Sequence, residues 1–235
     1  MKRILYVFVA YCLIYTQCFG GMIIQKFSSA GGGTISFVSP NGSTSATQTG
    51  SNDLVINVPS GVSDGDIMYV ALVTDQDFPW AVTSGWTQVD SQVTSSSSRT
   101  TLFYRVASSE PASYTFSFTD DSPIGSSGVI AAFEKTSGTW DAVQSTNTSS
   151  NTGSTITSGS VTSTDSSFLV IGFCSDDGVS QGSVSGMTNA GYVQGSSTGA
   201  GIWYESITTG QAETRTWTPG SSGDHASVAT VLEAE

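Results

Sequence analysis

The chain has 235 residues, of which only 11% are charged, and its 19 acidic and 7 basic residues give a formal net charge of −12. So few scattered cations exclude the basic patch that nucleic-acid binding requires. A mean hydropathy near zero with so little charge also excludes a disordered chain, and the abundance of Ser, Thr and Gly is typical of strands joined by turns.

The first 20 residues have the three parts of a secretory signal peptide. Lys2 and Arg3 supply a basic start, and residues 4–15 form an apolar stretch that is too short to span a bilayer. We therefore expect residues 1–20 to be a signal peptide. The mature chain is then extracellular, either secreted to the cell surface or exposed on a virion, without a membrane span. A translation start at Met22 is the alternative.

Cysteine and histidine usage restricts the chemistry of the mature chain. Cys12 and Cys18 fall within the signal peptide, which leaves Cys174 without a partner for an intramolecular disulfide. A zinc site is excluded as well, because one cysteine and the single histidine, His225, cannot supply the usual ligands. Asp224 precedes His225, but adjacent residues of a strand point to opposite faces, so the sequence does not favour a catalytic triad.

Residues 21–52 are predicted to be a flexible arm with one short strand. The arm is rich in Gly and Ser at first, residues 34–38 alternate apolar and polar, and residues 40–52 are polar and typical of turns. A lone strand cannot fold by itself, so it must complete the sheet of its own chain or lie along the edge of a neighbouring copy. We expect self-association through this arm, with Ile35 and Phe37 as contact residues.

Residues 53–235 are predicted to be strands joined by turns. Apolar and aromatic stretches recur about every 10 to 15 residues, and no helical periodicity is present. The stretch 67–73 is apolar on both faces, which predicts a buried central strand. The predicted strands of the first half are 54–58, 67–73, 85–89, 101–106, 114–118 and 129–134.

The second half repeats the first at an offset of about 100 residues, which is the strongest indication of architecture. The aligned segments are 65–75 with 166–176, 102–104 with 202–204, and 128–134 with 227–233. We therefore predict a single two-sheet β-sandwich, jelly-roll-like, built from two related halves, 53–138 and 152–235, with a crossover between them. Two tandem domains are the alternative.

Several stretches resemble a known kind of module. They are 58–66 (VPSGVSDGD), 85–89 (GWTQV), 102–107 (LFYRVA) and the ending 226–232 (ASVATVL). Over residues 54–233 the chain resembles β-sandwich modules of secreted multi-domain bacterial proteins and of phage tail and fibre proteins. The resemblance implies an extracellular or virion module, and it brings no catalytic residue to any position of this chain.

Acidic residues follow both predicted central strands. Asp75 and Asp77 come after 67–73, while Asp176 and Asp177 end the equivalent stretch of the second half. Calcium takes roughly six to eight oxygen ligands, and equivalent strands end on the same side of a sandwich, so these four residues are a candidate calcium site. The alternative is that the aspartates serve only the turns, since no complete calcium-binding loop is present.

Phe78 and Trp80 place two aromatic rings in the loop after 67–73. Exposed rings of this kind stack on sugars or anchor a protein partner, so both are candidate ligand or partner residues. The alternative is that the two rings close the end of the core.

No pattern in the sequence indicates a reaction, so we expect no enzymatic activity. The string 195–199 (GSSTG) matches a nucleophile motif without the strand–turn–helix context that this motif requires. A glycosidase with paired carboxylates is the enzyme class hardest to exclude, but nothing distinguishes Glu134, Glu205 or Glu213 for that role.

We interpret the chain as a non-enzymatic extracellular structural or assembly protein, a subunit of a surface filament, a cell-surface layer or a phage virion appendage. A secreted glycan-binding or adhesion module that uses calcium is the alternative. No other cofactor is expected, because function resides in sites and no site stands out.

Overall fold

The computed structural model describes residues 33–94, 98–119, 124–164, 167–176, 178–208 and 210–235. These residues belong to one compact unit and form β-strands without any helix, which confirms the all-β class. In these ranges, accordingly, no helix is long and apolar enough to cross a membrane. The predicted signal peptide, 1–20, and the first part of the predicted arm lie outside the described residues.

The first half builds one larger and one smaller antiparallel sheet. Its strands are β1 (Ile35–Phe37), β2 (Ser43–Gln48), β3 (Asp53–Asn57), β4 (Ile67–Thr74), β5 (Thr87–Val93), β6 (Arg99–Val106), β7 (Ser113–Ser117) and β8 (Ser126–Lys135). The larger sheet has the order β1-β8-β4-β6-β5, with β2 also paired to β8, and the smaller sheet pairs β3 with β7.

The second half builds a larger sheet and two small ones. Its strands are β9 (Trp140–Asp141), β10 (Thr146–Gly153), β11 (Ile156–Thr157), β12 (Val161–Thr162), β13 (Ser167–Ser175), β14 (Ser183–Val184), β15 (Thr188–Gln194), β16 (Gly199–Ile207), β17 (Ala212–Glu213), β18 (Thr216–Thr218) and β19 (Gly223–Ala234). The larger sheet has the order β10-β19-β13-β16-β15, with β9 also paired to β19. The small sheets are β11-β18-β14 and β12-β17.

The two larger sheets share one strand order, and each begins with two short strands laid along a single neighbour. β1 and β2 both pair with β8, as β9 and β10 both pair with β19. The repeated unit therefore starts at β1 and at β9, earlier than the sequence indicated. Residues 40–52, predicted as turns, contain β2, because an edge strand rich in Ser and Thr shows little apolar alternation.

Three clusters of buried side chains hold the sheets together. The inner cluster lies between the two larger sheets, and two outer clusters lie between each larger sheet and the small sheet or sheets of the same half. In β4, Tyr69 and Ala71 face the inner cluster while Val70 and Leu72 face the outer one. Every residue of β4 is buried, which confirms the predicted central strand, and each large side chain contributes about 1.5–3 kcal/mol.

Antiparallel sheets packed face to face confirm the predicted β-sandwich packing, but they do not confirm a jelly-roll connectivity. The two larger sheets meet with reversed strand orders, since β4 lies on β13, β8 on β16, β2 on β15 and β5 on β10. The arrangement approximates a two-fold axis between the halves. Ala71 and Gly172, which occupy equivalent positions, meet at this axis, and a methyl carbon placed on Gly172 would lie 3.1 Å from Cβ of Ala71.

The edge strands β5 and β15 carry irregularities at equivalent positions. The register of β5 shifts between Gln88 and Asp90, and that of β15 shifts between Asn189 and Gly191. Bulges twist an edge and interrupt its ladder, so they hinder the addition of a further strand from another chain. Edge-to-edge growth along these two strands is therefore disfavoured.

Candidate functional site

Three of the predicted calcium ligands, Asp75, Asp77 and Asp176, lie at one end of the molecule, which we call the loop end, where β4 and β13 both terminate. Asp75 follows β4, and its backbone N–H donates to the carbonyl of Gly125 (3.0 Å). Asp176 follows β13, and its carboxylate accepts the backbone N–H of Asp224 (3.2 Å). Asp75 and Asp176 thus lie at the same end, as expected for equivalent strands, while Asp177 lies outside the described residues.

Asp77 already has a cationic partner. Its Oδ1 lies 2.8 Å from Nε and 2.6 Å from Nη2 of Arg99 at the start of β6. Calcium bound through Oδ1 would compete with the guanidinium for this atom. Within the described ranges no three His, Cys, Asp or Glu side chains converge as metal ligands, so the calcium site at Asp75, Asp77, Asp176 and Asp177 stays a prediction.

The aromatic loop after β4 folds back onto the outer cluster of the first half. Trp80 is only 4% exposed, and its ring meets Phe118 edge-on with the centroids 5.0 Å apart. The half-buried Phe78 stacks on the same ring at 6.3 Å. The hydroxyl of Thr74 donates to the carbonyl of Gln76 (2.7 Å) and fixes the start of the loop. The protein itself covers Trp80, which corrects the prediction that this ring stands exposed for a ligand.

The strand predicted for the arm lies on its own chain. In β1, Ile35 pairs with Lys135 and Phe37 pairs with Phe133. The ring of Phe37 meets Phe133 edge-on at 5.9 Å and stacks on Tyr204 at 5.3 Å. Tyr204 belongs to the second half, so β1 fastens the two larger sheets to each other. Of the two alternatives for this strand, the structure has the one in which it completes its own sheet.

The single histidine is a packed core residue. His225 is buried, its Nε2 donates to the carbonyl of Gly153 (3.0 Å), and its ring meets Trp217 edge-on at 5.3 Å. The carboxylate of Asp224 accepts the hydroxyl of Thr152. The string 195–199 forms the turn between β15 and β16, which is not the strand–turn–helix context of the nucleophile motif.

The first half has a half-buried ion pair at the end of β6. Nε of Arg105 donates to Glu110 (2.9 Å), whose carboxylate also accepts the N–H of Ser108 (2.7 Å) and the hydroxyl of Tyr114. Burial raises the pKa of Glu110, but these hydrogen bonds outweigh burial and hold the pKa below its ordinary value. Burial, reinforced by the bonded carboxylate, raises the pKa of Tyr114. The cluster fixes the turn that follows β6.

The second half has its ion pair at the equivalent position of β16. Glu205 contacts Nε of Arg215, and Glu213 contacts Nη1 of the same guanidinium at 2.7 Å. Burial raises the pKa of Glu205, and the neighbouring Arg215 offsets that rise only in part. The two carboxylates share one cation and are held in place by it. Glu134, the other candidate carboxylate, accepts the hydroxyl of Ser36 (3.1 Å).

Sequence reasoning did not find a group of three polar side chains near the start of β13. The carboxamide of Gln144 contacts the hydroxyl of Thr164, and the carboxylate of Glu233 accepts the backbone N–H of Thr164 (3.3 Å). The three residues come from the segment after β9, the segment after β12 and the end of β19. No local sequence motif predicts this group, because only the pairing of β9 with β19 brings the three segments together.

Both ends of the described chain meet at the segment between β8 and β9, and we call this the termini end. The N–H of Thr136 donates to the carbonyl of Thr34 (3.0 Å), and Thr139 exchanges two backbone hydrogen bonds with Glu235 (2.7 and 2.9 Å). Gly138 lies against Glu235 with a φ of 84°, a backbone conformation that glycine adopts without strain. The termini end lies beside the start of β4, opposite the loop end.

Comparison with known proteins adds no family to this description. No family model, no curated protein and no solved structure matches the chain. The resemblance to bacterial and phage modules therefore stays an expectation, and function has to be argued from the geometry of the described residues.

Proposed function

We propose that the protein is a non-enzymatic structural or assembly module of an extracellular surface, such as a filament, a cell-surface layer or a phage appendage. The module is attached at its termini end and presents its loop end outward. Residues before Gly33 make the attachment, through contacts with other copies or with a surface.

The observation that carries this proposal is the meeting of both described chain ends on the segment 136–139. Connections through either end of the chain leave from the same place. Eight residues of β4, at about 3.3 Å per residue, separate this place from Asp75 by roughly 25 Å. A module built in this way protrudes from its attachment, and the loops around Asp75 and Asp176 are then farthest from it.

The packing of β1 is consistent with a module that resists deformation when force is applied at its N-terminal end. Force applied ahead of Gly33 reaches β1 first, and β1 pairs with β8 while Phe37 contacts Tyr204 of the other half. Both larger sheets therefore share the load. Bulges on β5 and β15 hinder lateral growth through those two edges.

The test compares the mature chain, from residue 21, with a variant that lacks residues 22–32. The deletion keeps Ile35 and Phe37, so it leaves β1 in place. A matched control replaces residues 22–32 by a Gly/Ser segment of the same length. All three are examined by thermal melting, by light scattering over a range of concentrations, and by electron microscopy.

We expect all three proteins to melt at the same temperature and only the one with native residues 22–32 to form assemblies. If all three assemble alike, the attachment does not reside in this segment. If the mature chain stays monomeric at every concentration tested, the assembly function itself is wrong.

A further inference from the structure

Basic residues are scarce in this chain and are confined to a few positions. The sequence has 7 of them against 19 acidic residues, and three of the seven precede the described residues. Residues 33–235, which we call the body, contain the other four: Arg99, Arg105, Lys135 and Arg215. Proteases of trypsin specificity cleave after such residues, because their specificity pocket binds the cation. None of the four is followed by proline, so the sequence alone permits cleavage at each.

The side chains of these four residues already have partners within the body. Each of the three arginines is paired with a carboxylate, and the exposed fractions of Arg99, Arg105 and Arg215 are only 22%, 18% and 23%. Lys135 is half-buried, and its Nζ lies 4.6 Å from the centre of the Trp140 ring. A protease would have to draw each cation away from its partner before it could bind the side chain.

The backbone at the same positions is also held. Arg99 and Arg105 belong to β6, which lies between β4 and β5, and Lys135 is the last residue of β8, where it pairs with β1. Arg215 exchanges hydrogen bonds with Ser158, through its backbone N–H (3.0 Å) and its carbonyl (2.8 Å). A protease binds several consecutive residues in an extended form, so cleavage at these positions requires local unfolding first.

The connections between strands, where proteolytic nicking normally occurs, offer no alternative site. Apart from the pair 214–215, none of them contains a basic residue, and this includes the long connections 58–66, 75–86 and 176–182. The edge strands β2, β5, β10 and β15 lack basic residues too, although lysine commonly guards a sheet edge. Bulges interrupt β5 and β15 without a cation.

We propose that the folded body is not a substrate for proteases that cleave after lysine or arginine, because basic residues occur in it only where a partner and the backbone pairing withhold them. Acidic residues then supply the solubility to which basic residues contribute in other proteins. Such resistance suits a module that persists on an extracellular surface. That setting rests on the proposed function, whereas the resistance follows from the described residues alone.

The test is digestion of the mature chain, from residue 21, by trypsin under native conditions, with the products identified by intact mass. Every product should retain residues 27–235, whether or not cleavage occurs after Lys26. Two variants place a lysine in a long connection, Val82→Lys, where the valine is 62% exposed, and Gln181→Lys, where the glutamine is exposed. Both should be cut into two fragments at the new lysine.

Val55→Lys is the matched control. Val55 is 52% exposed, but it lies in β3 and is paired with β7, so this variant should stay intact. Thermal melting shows whether each variant is folded, and light scattering sets a protein concentration at which the chain is monomeric, so that assembly does not protect it. Digestion in urea should release fragments that end at all four basic residues of the body.

Cleavage of the native, monomeric chain after any of these four residues overturns the proposal. It is also overturned if neither Val82→Lys nor Gln181→Lys is cut, because the resistance would then come from rigid loops and not from the placement of basic residues. Cleavage of folded Val55→Lys at its new lysine would show that strand pairing does not protect a bond, and it would overturn the proposal as well. None of these outcomes depends on whether residues 22–32 mediate assembly.

Discussion

The two halves place a half-buried ion pair at the same point of the fold but reverse its polarity. The first half has the cation on β6 and the anion after it, as Arg105 and Glu110. The second half has the anion on β16 and the cation after it, as Glu205 and Arg215. At this position two opposite charges fix the following segment to the strand. The charge on the strand can be either positive or negative.

The two pairs nevertheless differ in how well the protein solvates their carboxylates. Glu110 receives hydrogen bonds from Arg105, Ser108 and Tyr114, and its pKa is lowered despite burial. Glu205 shares Arg215 with Glu213, and its pKa is raised by burial. Equal topology therefore does not mean equal energetics, and the number of donors around the carboxylate decides whether its charge stabilises the fold.

The largest expected effect comes from the equivalent core residues Leu72 and Phe173. Both are fully buried, Leu72 in the outer cluster of the first half and Phe173 between Trp203 and Trp217 of the second. Leu72→Ala should cost about 2–5 kcal/mol and Phe173→Ala about 3–5 kcal/mol of unfolding free energy. Denaturant unfolding followed by tryptophan fluorescence measures both. A midpoint unchanged in either variant would show that the two strands are not equally central.

The ion pairs should give the next largest effect. Glu110→Gln removes a carboxylate with three donors, and near neutral pH it should cost about 1.5–3 kcal/mol. Glu205→Gln should cost less, because burial already disfavours that charge. Urea unfolding of both variants measures the difference. Equal losses would show that the lowered and raised pKa values do not translate into stability.

An acid titration separates the two carboxylates further. Because the pKa of Glu110 in the folded protein lies below its ordinary value of 4.5, its contribution is present above about pH 4.5 and is lost as the pH falls through the folded pKa. The penalty of Glu110→Gln should therefore shrink on acidification. The raised pKa of Glu205 gives the opposite pH dependence of stability. The contribution of Glu205 is present at low pH and is lost as the pH rises. A penalty for Glu110→Gln that is independent of pH would contradict this assignment.

A smaller effect is expected where the halves meet. Gly172→Ala places a methyl group 3.1 Å from Cβ of Ala71 and 3.4 Å from Leu102, and it should cost about 1 kcal/mol. The double variant Ala71→Gly with Gly172→Ala moves the methyl group to the other side of the axis and should recover most of that loss. Chemical denaturation of the two single variants and the double variant measures the coupling. Strict additivity would mean that the two residues do not share one space.

The smallest effect is expected at the loop end. Asp77→Asn removes a largely exposed ion pair with Arg99 and should change the unfolding free energy by less than about 1 kcal/mol. Thermal melting of the unmodified protein with and without calcium tests the calcium prediction, because a ligand that binds only the folded state raises the melting temperature. Asp75→Asn should abolish a calcium-dependent rise. No change with added calcium or with chelator removes the predicted site.

The central strands could be predicted from the sequence, whereas the edges and the polar contacts could not. The stretch 67–73 is apolar at successive positions, which predicts burial on both faces. The structure has β4 there, over Ile67–Thr74, with every residue buried. β2 and β10 escape detection, because Ser, Thr and Asn in edge strands show no alternation. Trp80 is buried by Phe118, a residue distant in sequence, so its environment is not encoded locally.

The group Gln144, Thr164 and Glu233 lies beyond sequence reasoning for a similar reason. Each residue type is ordinary in its own segment, and only the pairing of β9 with β19 juxtaposes them. The acidic residues Asp75 and Asp176 were placed at one end by the repeat, but the pairing of Asp77 with Arg99 depended on where β6 begins.

The meeting of Ala71 and Gly172 shows what two sheets of the same strand order gain by belonging to one chain. Two separate identical subunits related by an axis must present the same residue to itself, so a methyl group on one side is always opposed by a methyl group on the other. Within a single chain this constraint is absent, because the two equivalent positions are separate residues. The chain can therefore keep the methyl group on one side and hydrogen on the other, and bring its sheets closer than a symmetric pair of alanines could.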